Sequence, residues 1–471
     1  MRWLTPICFS MISSEDASSK SPPIRSWSHE GDVNTTSARE RWHWESISES
    51  TRQRLAEDEK YFLHQSLSTP CLNLLSEAEG SYVTDVEGRR YLDFHGNNVH
   101  QIGFRHPHVV EAVKRQLDTL PFCTRRYANE PAISFARKLI EVAPADLSRV
   151  LFAPAGTVAM SMALKLARLA TGKFKTVSMW DAFHGATLDS ISVGGETQFR
   201  QGVGPLLPGS EHVPPCEIRG CPFRCGKACS LACADYLEYV LEREGDVAAV
   251  IGETIRCTPS IPPFDYWKKV RAACDKHGAL LILDEIPIGL GRSGKLFALE
   301  HYGVTPDLLV LGKGLGGGIM PMAAVLATER FNVVGPSSIG HFTHEKNPMA
   351  CAAGLATLEV IERENLVENA RRLGEQALVE FSRFPERHRL VGAVRGLGLL
   401  MGIELMHERN PLRPARDEAT EVMYAALRRG LNFKLTRGNM LTLTPPISLS
   451  DAELTQAIGI LDAALTEVEN H

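Results

Sequence analysis

The sequence predicts an α/β protein: a mostly parallel central sheet in a large domain, joined to a smaller α+β domain. Three observations carry this. Short apolar runs alternate with helical stretches from about Pro107 onward, the pattern changes after about residue 346, and one run ends in a lysine set among glycines. Runs with no polar alternation read as strands covered on both faces, as parallel sheets require. They are Arg149–Ala153, Thr176–Met179, Val247–Gly252, Leu280–Asp284 and Leu308–Leu311.

The elements follow in order. Residues 1–40 are rich in Ser, Thr, Pro and charge and are expected to be a disordered extension. Within it, Met1–Ser14 is mildly apolar but broken by Pro6, without a clean cleavage site, so export is not expected. Residues 41–106 are expected to join the small domain. Arg41–Ser66 reads as helical, and Tyr82–Asp85 with Tyr91–Phe94 as a hairpin turned at Glu87-Gly88. Residues 107–345 make the large domain. Residues 346–471 make the C-terminal small domain, with a helix over Ala350–Glu364 and strand signals in Val391–Leu405 and Met440–Leu443.

A length of 471 residues suits two or three structural units. Hydrophobic residues make up 44%, charged residues 23%, and the net charge is -5. With no block of one sign, nothing asks for nucleic acid or an anionic membrane surface. No apolar run is long enough to span a bilayer. The eleven cysteines are read as reduced thiols of a cytoplasmic protein.

Four features carry chemistry. Lys313 closes the run Leu309-Val310-Leu311-Gly312 and is followed by Gly314 and Gly316–Gly318. Ligands of open α/β sheets bind beyond the carboxyl ends of strands, so such a lysine can lie close to a flat ligand. Asp284 closes Leu280–Leu283; an acid ending a buried strand needs a partner, and a pyridinium nitrogen is a suitable one. A helix cap or a metal ligand is the plain alternative for it. Gly156-Thr157 opens a helix over Val158–Ala170, where free N–H groups would hold a phosphate, though ordinary caps look the same. Phe183, in Phe183-His184-Gly185, is either a ring-stacking residue or core.

Taken together, these features resemble the class III aminotransferase family of fold-type I pyridoxal-phosphate enzymes, from about Leu72 to near the C-terminus. Tyr91–Phe94, Gly103–Pro107, Asp284–Gly294, Thr343 with Asn347-Pro348, Arg395–Gly398 and Pro445-Pro446 add to the resemblance. It implies pyridoxal 5'-phosphate as cofactor, Lys313 as the Schiff-base lysine and Asp284 as partner of the ring nitrogen. It further implies Gly156 and Thr157 at the phosphate, Phe183 and Ile286 on the two ring faces, and Thr343 reaching the phosphate of a neighbouring subunit. A homodimer or a dimer of dimers follows from that last role.

Three departures bear on the reaction. Thr442 stands where family transaminases carry the arginine that grips an α-carboxylate through two hydrogen bonds. Pro287 stands at a usual glutamine and cannot donate to the ring oxygen. Val158 and Ser161 replace the usual acids after the phosphate loop. An enzyme without the amino-acceptor anchor can instead eliminate a leaving group beside the amine-bearing carbon and release ammonia. The segments Tyr61–Gln65, Phe94–His100 and Thr343–Pro348 look closest to a branch acting on 1-hydroxy-2-aminoethylphosphonate, giving phosphonoacetaldehyde. The alternatives are an ω-aminotransferase acting on an amine without an α-carboxylate, a phospho-lyase acting on compounds like ethanolamine phosphate, and a non-catalytic regulator.

A phosphonate needs cations. Arg125, Arg126, Lys434 and Arg437 are the candidates, and solvated surface charge is the plain reading of each. Cys216, Cys221, Cys225, Cys229 and Cys233 form the one cysteine cluster. Four-residue spacing on a helix would align them on one face. No metal is expected elsewhere; here an insertion loop with reduced thiols stands against a zinc or iron–sulfur site.

Overall fold

The computed structural model describes residues 36–65, 71–144, 146–217, 221–225, 229–410 and 413–470. The expected extension up to residue 35, and Ser66 at the end of the first helical stretch, lie outside them. That stretch is three elements rather than one. A short helix, Ser37–Arg41, runs into a π turn, Trp42–Ser46, and a second helix, Glu49–Tyr61, begins at Ser48, whose side chain caps the Thr51 N–H.

The central sheet has seven strands in the order Leu147–Ala153, Ala323–Thr328, Leu308–Leu311, Leu280–Asp284, Val247–Glu253, Lys175–Met179 and Ser210–Val213. The last five in this order run parallel. Ala323–Thr328 lies antiparallel to both its neighbours. Leu280–Asp284 and Leu308–Leu311 are buried at every position, so their sequences show no polar alternation. Two strands had no counterpart in the sequence reading. Ser210–Val213 is an edge strand of Ser, Glu, His and Val, with no apolar run to reveal it. Ala323–Thr328 is alanine-rich and follows the glycine segment directly.

Two smaller sheets flank this one. The first joins Leu75–Glu79, Tyr82–Asp85, Arg90–Asp93 and Leu431–Asn432; the second joins Val391–Leu397, Leu400–Leu405, Met440–Leu443 and Lys434–Thr436. Arg90–Asp93 pairs in parallel with Leu431–Asn432, tying the beginning of the chain to its end. The long helix after residue 346 is Pro348–Arg363, started by Asn347, whose Oδ1 accepts the Ala350 N–H at 3.0 Å. No helix among the described residues is long and apolar enough to cross a membrane.

Candidate active site

Three buried strands end side by side at one edge of the sheet: Val247–Glu253, Leu280–Asp284 and Leu308–Leu311. Lys313 follows the last of them with φ +49, a left-handed conformation uncommon for a side chain of this size. A Cβ at Gly312 would come within 3.2 Å of Ile286 Cγ2, and one at Gly314 within 2.6 Å of Gln101 Cβ. Glycines on either side therefore let the lysine turn lie against both neighbours. Lys313 is half-buried, and burial pushes its amine below the ordinary lysine pKa. The charge of Lys434 adds to that, whereas Cys257, Asp284 and Glu253 oppose it.

Asp284 is 1% exposed. Its Oδ1 accepts the Ile286 N–H at 3.0 Å, and its Oδ2 lies 2.8 Å from His184 Nδ1. The His184 Nε2 is buried without a hydrogen-bond partner among the described residues. The ring thus holds the carboxylate in one orientation, a role that the sequence reading did not give His184. Glu253, also unassigned there, accepts the Phe183 N–H at 3.3 Å and lies 3.6 Å from Arg256 Nε. Burial raises its carboxyl above the usual range, with Arg256 opposing. The signal was available: like Asp284, Glu253 is an acid closing an apolar strand. Phe183 is half-buried with its ring 4.6 Å from that of Phe199.

Gly156 and Thr157 open the helix Gly156–Thr171, and the preceding Ala155 supplies no side-chain cap. The first N–H groups therefore point to an anion with the positive end of the helix behind them. Thr157 Oγ1 is 2.8 Å from Thr187 Oγ1 and accepts the Thr187 N–H at 3.2 Å. A Cβ at Gly185, where φ is +127, would sit 2.3 Å from Thr157 Oγ1. A Cβ at Gly156 would meet Ile286 Cδ1 at 2.9 Å. Ile286 therefore packs between Gly156 and the Lys313 turn. Ser161 donates to Asp189, and Val158 packs against the core beneath the helix. The Pro287 carbonyl accepts from Asn98 Nδ2 at 3.4 Å.

The four candidate cations fare differently. Lys434 is half-buried, and its Cα partner across the ladder is Thr442. The Thr442 hydroxyl is 2.8 Å from that of Thr436. Arg437 is no free cation: it grips Glu217 with both terminal nitrogens, one bond measuring 2.6 Å. Arg125 lies 3.2 Å from Glu345 and 3.1 Å from His341 Nδ1, on an exposed corner that includes Thr343. Arg126 is exposed beside it. Within one chain, no contact among the described residues joins this corner to Lys313.

The cysteine cluster is not a helical face. Only Cys233 lies on a helix, Ala232–Glu244, and the other four sit in irregular chain before it. Cys216 donates to Cys233, and Cys225 Sγ is 3.2 Å from Ser230 Oγ. Among the described residues, no group of three or more His, Cys, Asp or Glu is placed to hold a metal.

A fixed buried carboxylate, an uncapped helix start and a lysine of lowered pKa, without a hydrogen-bond partner among the described residues, gather about Ile286 and fit pyridoxal phosphate. Asp284 would meet its ring nitrogen, Gly156 and Thr157 its phosphate, and Lys313 its aldehyde carbon. Comparison with known proteins agrees. The model of the aminotransferase class-III family matches residues 64–465. An (R)-1-hydroxy-2-aminoethylphosphonate ammonia-lyase from Vibrio splendidus is 47% identical over 93% of this chain and 95% of its own length. A leucine/methionine racemase from Thermococcus litoralis is 35% identical over 83% of this chain and 90% of its own length. An amine transaminase from an uncultivated Pseudomonas species, crystallised with PLP bound, superposes with a TM-score of 0.81 at 32% identity, covering 87% of this chain and 99% of that one. The chain has the fold-type I architecture, takes pyridoxal phosphate as cofactor and belongs to the class III aminotransferase family.

Proposed function

We propose that this protein is an ammonia-lyase acting on a 2-aminoethyl phosphonate, with (R)-1-hydroxy-2-aminoethylphosphonate as the favoured substrate and phosphonoacetaldehyde and ammonia as products. The observation that carries this is Thr442. Where a transaminase presents a guanidinium to an α-carboxylate, this chain has a buried hydroxyl occupied with Thr436. The cation opposite it, Lys434, suits a phosphonate headgroup. A bidentate arginine contact is worth about 1.5–3 kcal/mol per hydrogen bond. Its loss weakens amino and keto acids but not a substrate with no carboxylate. The Vibrio relative supports the same substrate.

Bound pyridoxal phosphate supplies an electron sink for the pair left when the carbon beside the amine loses its proton. Asp284, fixed by Ile286 and His184, keeps the ring nitrogen protonated. Lys313, biased toward its neutral amine, takes the proton from carbon. The electron pair then forms the carbon–carbon double bond as the C1 oxygen leaves as water, and a second water releases ammonia from the resulting enamine. We further propose that Thr343 completes the phosphate site of a neighbouring copy, so the active unit is at least a homodimer. A cytoplasmic setting accords with the described cysteines, which are free thiols.

The test is a product assay with the hydroxyphosphonate, with ethanolamine phosphate, and with an amine plus pyruvate or 2-oxoglutarate. One ammonia per aldehyde without a keto acid is expected. Strict dependence on a keto acid, with the cofactor accumulating in its amine form, establishes a transaminase instead.

A further inference from the structure

Hydroxide is a poor leaving group, so elimination of the C1 oxygen calls for an acid beside it. The residue that meets this need is His95. It follows Phe94, whose N–H donates to the Asn432 carbonyl at 2.8 Å and whose carbonyl accepts the Thr444 N–H at 2.8 Å. In the parallel ladder Asp93 faces Asn432. His95 and Lys434 each lie two residues beyond that pair, and the Lys434 charge acts on the His95 ring; Lys434 itself faces Thr442 in the neighbouring sheet. The loop that begins at His95 then runs along the lysine turn. A Cβ at Gly314 would stand 3.7 Å from the Asn98 carbonyl, and one at Gly318 3.1 Å from that of Val99. His95 is thereby set between the Lys434 strand and the Lys313 turn.

Its backbone is fixed, because Asp93 Oδ1 accepts the N–H groups of His95 and Gly96 at 2.9 and 3.1 Å. Its ring has no hydrogen-bond partner among the described residues, and neither do the amines of Lys313 and Lys434. The charges of both lysines act on the His95 ring, and no hydrogen bond among the described residues satisfies any of these three half-buried nitrogen side chains.

We propose that His95 is the catalytic acid that protonates the departing C1 oxygen, with Lys434 holding the phosphonate on the same carbon. This deepens the lyase reading and rests on it. The balance is complete. Lys313 takes the proton from the amine-bearing carbon, the pair forms the double bond, and the C1–O bond breaks. The oxygen leaves as water with the proton from His95, which is restored from solvent. The charge state follows from the surroundings. Burial first, then Lys434, His100 and Lys313, push the imidazole down to about 4, with Asp93 opposing. A phosphonate dianion on Lys434 cancels that cation and leaves one negative charge in excess beside the ring, so the substrate itself favours the protonated His95.

The test compares two substrates in wild type and His95→Gln, each loaded with cofactor. The hydroxyphosphonate needs an acid, whereas its 1-chloro analogue, whose chloride leaves unprotonated, does not. The variant is expected to lose on the order of 100-fold or more in kcat on the hydroxy substrate, and only a few-fold on the chloro one, with the visible cofactor band unchanged. Equal losses on both substrates would make His95 structural and overturn the proposal, as would full activity on both. Wild type that releases no ammonia from the hydroxy substrate overturns the lyase reading, and this role with it. Wild type that is active while the variant shows no substrate dependence overturns His95 alone.

Discussion

The fold puts Lys313 where its amine is held below the ordinary lysine pKa. Burial and the Lys434 charge both favour its neutral form, against the pull of Cys257, Asp284 and Glu253. The neutral amine is therefore present at lower pH than in a free lysine. The cofactor-free protein should capture pyridoxal phosphate at a rate that rises with pH around a midpoint below 10.5, the ordinary lysine value. Lys434→Met removes a cation that disfavours the ammonium, so its midpoint should move up. A downward move contradicts the assignment. Borohydride should fix the cofactor covalently to wild type and not to Lys313→Ala, and mass spectrometry of the digested protein reads this directly. Gly185 gives a second test at this scale. A methyl there would stand 2.3 Å from Thr157 Oγ1, at a φ of +127. Gly185→Ala should weaken cofactor retention at least about tenfold, since a displaced Thr157 costs more than roughly 1.4 kcal/mol. Unchanged retention on dialysis would remove Thr157 from the phosphate site.

The hairpin Lys434–Leu443 carries both Lys434 and Thr442, and Glu217 anchors its turn through Arg437. Burial would raise the Glu217 carboxyl, but the Arg437 charge and hydrogen bonds hold it below the usual glutamate range. A depressed folded-state value gives stability that is full above the unfolded value of about 4.3. That stability is lost as pH falls through the folded value. Glu217→Gln leaves a largely buried guanidinium without its counter-charge and should cost about 3 kcal/mol in urea unfolding near neutral pH. The gap between the two proteins should narrow as pH falls below about 4; a gap independent of pH sinks the ion-pair account. This anchor was not legible in the sequence, because Glu217 and Arg437 lie far apart along it and only the fold brings them together. The same holds for His95, whose meaning depends on a lysine near the other end of the chain. Asp284 and Lys313 were legible because each ends a continuous apolar run, a signal local to its own strand. Ser210–Val213 was not, since an edge strand needs no such run.

At the scale of the whole molecule, the proposed phosphate site draws on two copies of the chain. Gly156, Asp284 and the Lys313 turn gather about Ile286, whereas Thr343 stands exposed on a corner with Arg125. An exposed threonine held by a turn built on Glu345 is explained if a neighbouring copy covers it. Glu345 Oε1 accepts the N–H groups of His341 and Phe342 at 2.6 and 3.0 Å, giving that turn a fixed shape. Lys313→Ala removes the amine from a chain's own site. Thr343→Asp sets a carboxylate against the phosphate in the partner's site. Each homodimer should be inactive. In a two-fold dimer of one chain of each kind, one site keeps both Lys313 and an intact Thr343 from across the interface, and the other lacks both. Random mixing makes half the dimers hybrid, each with one sound site of two, so activity should recover to about a quarter of wild type. The mixture must first be dissociated and reassembled, and recovery should follow the fraction of hybrids separated by charge. No recovery in isolated hybrids places Thr343 outside the phosphate site, and full wild-type activity in a monomeric fraction removes the shared site altogether.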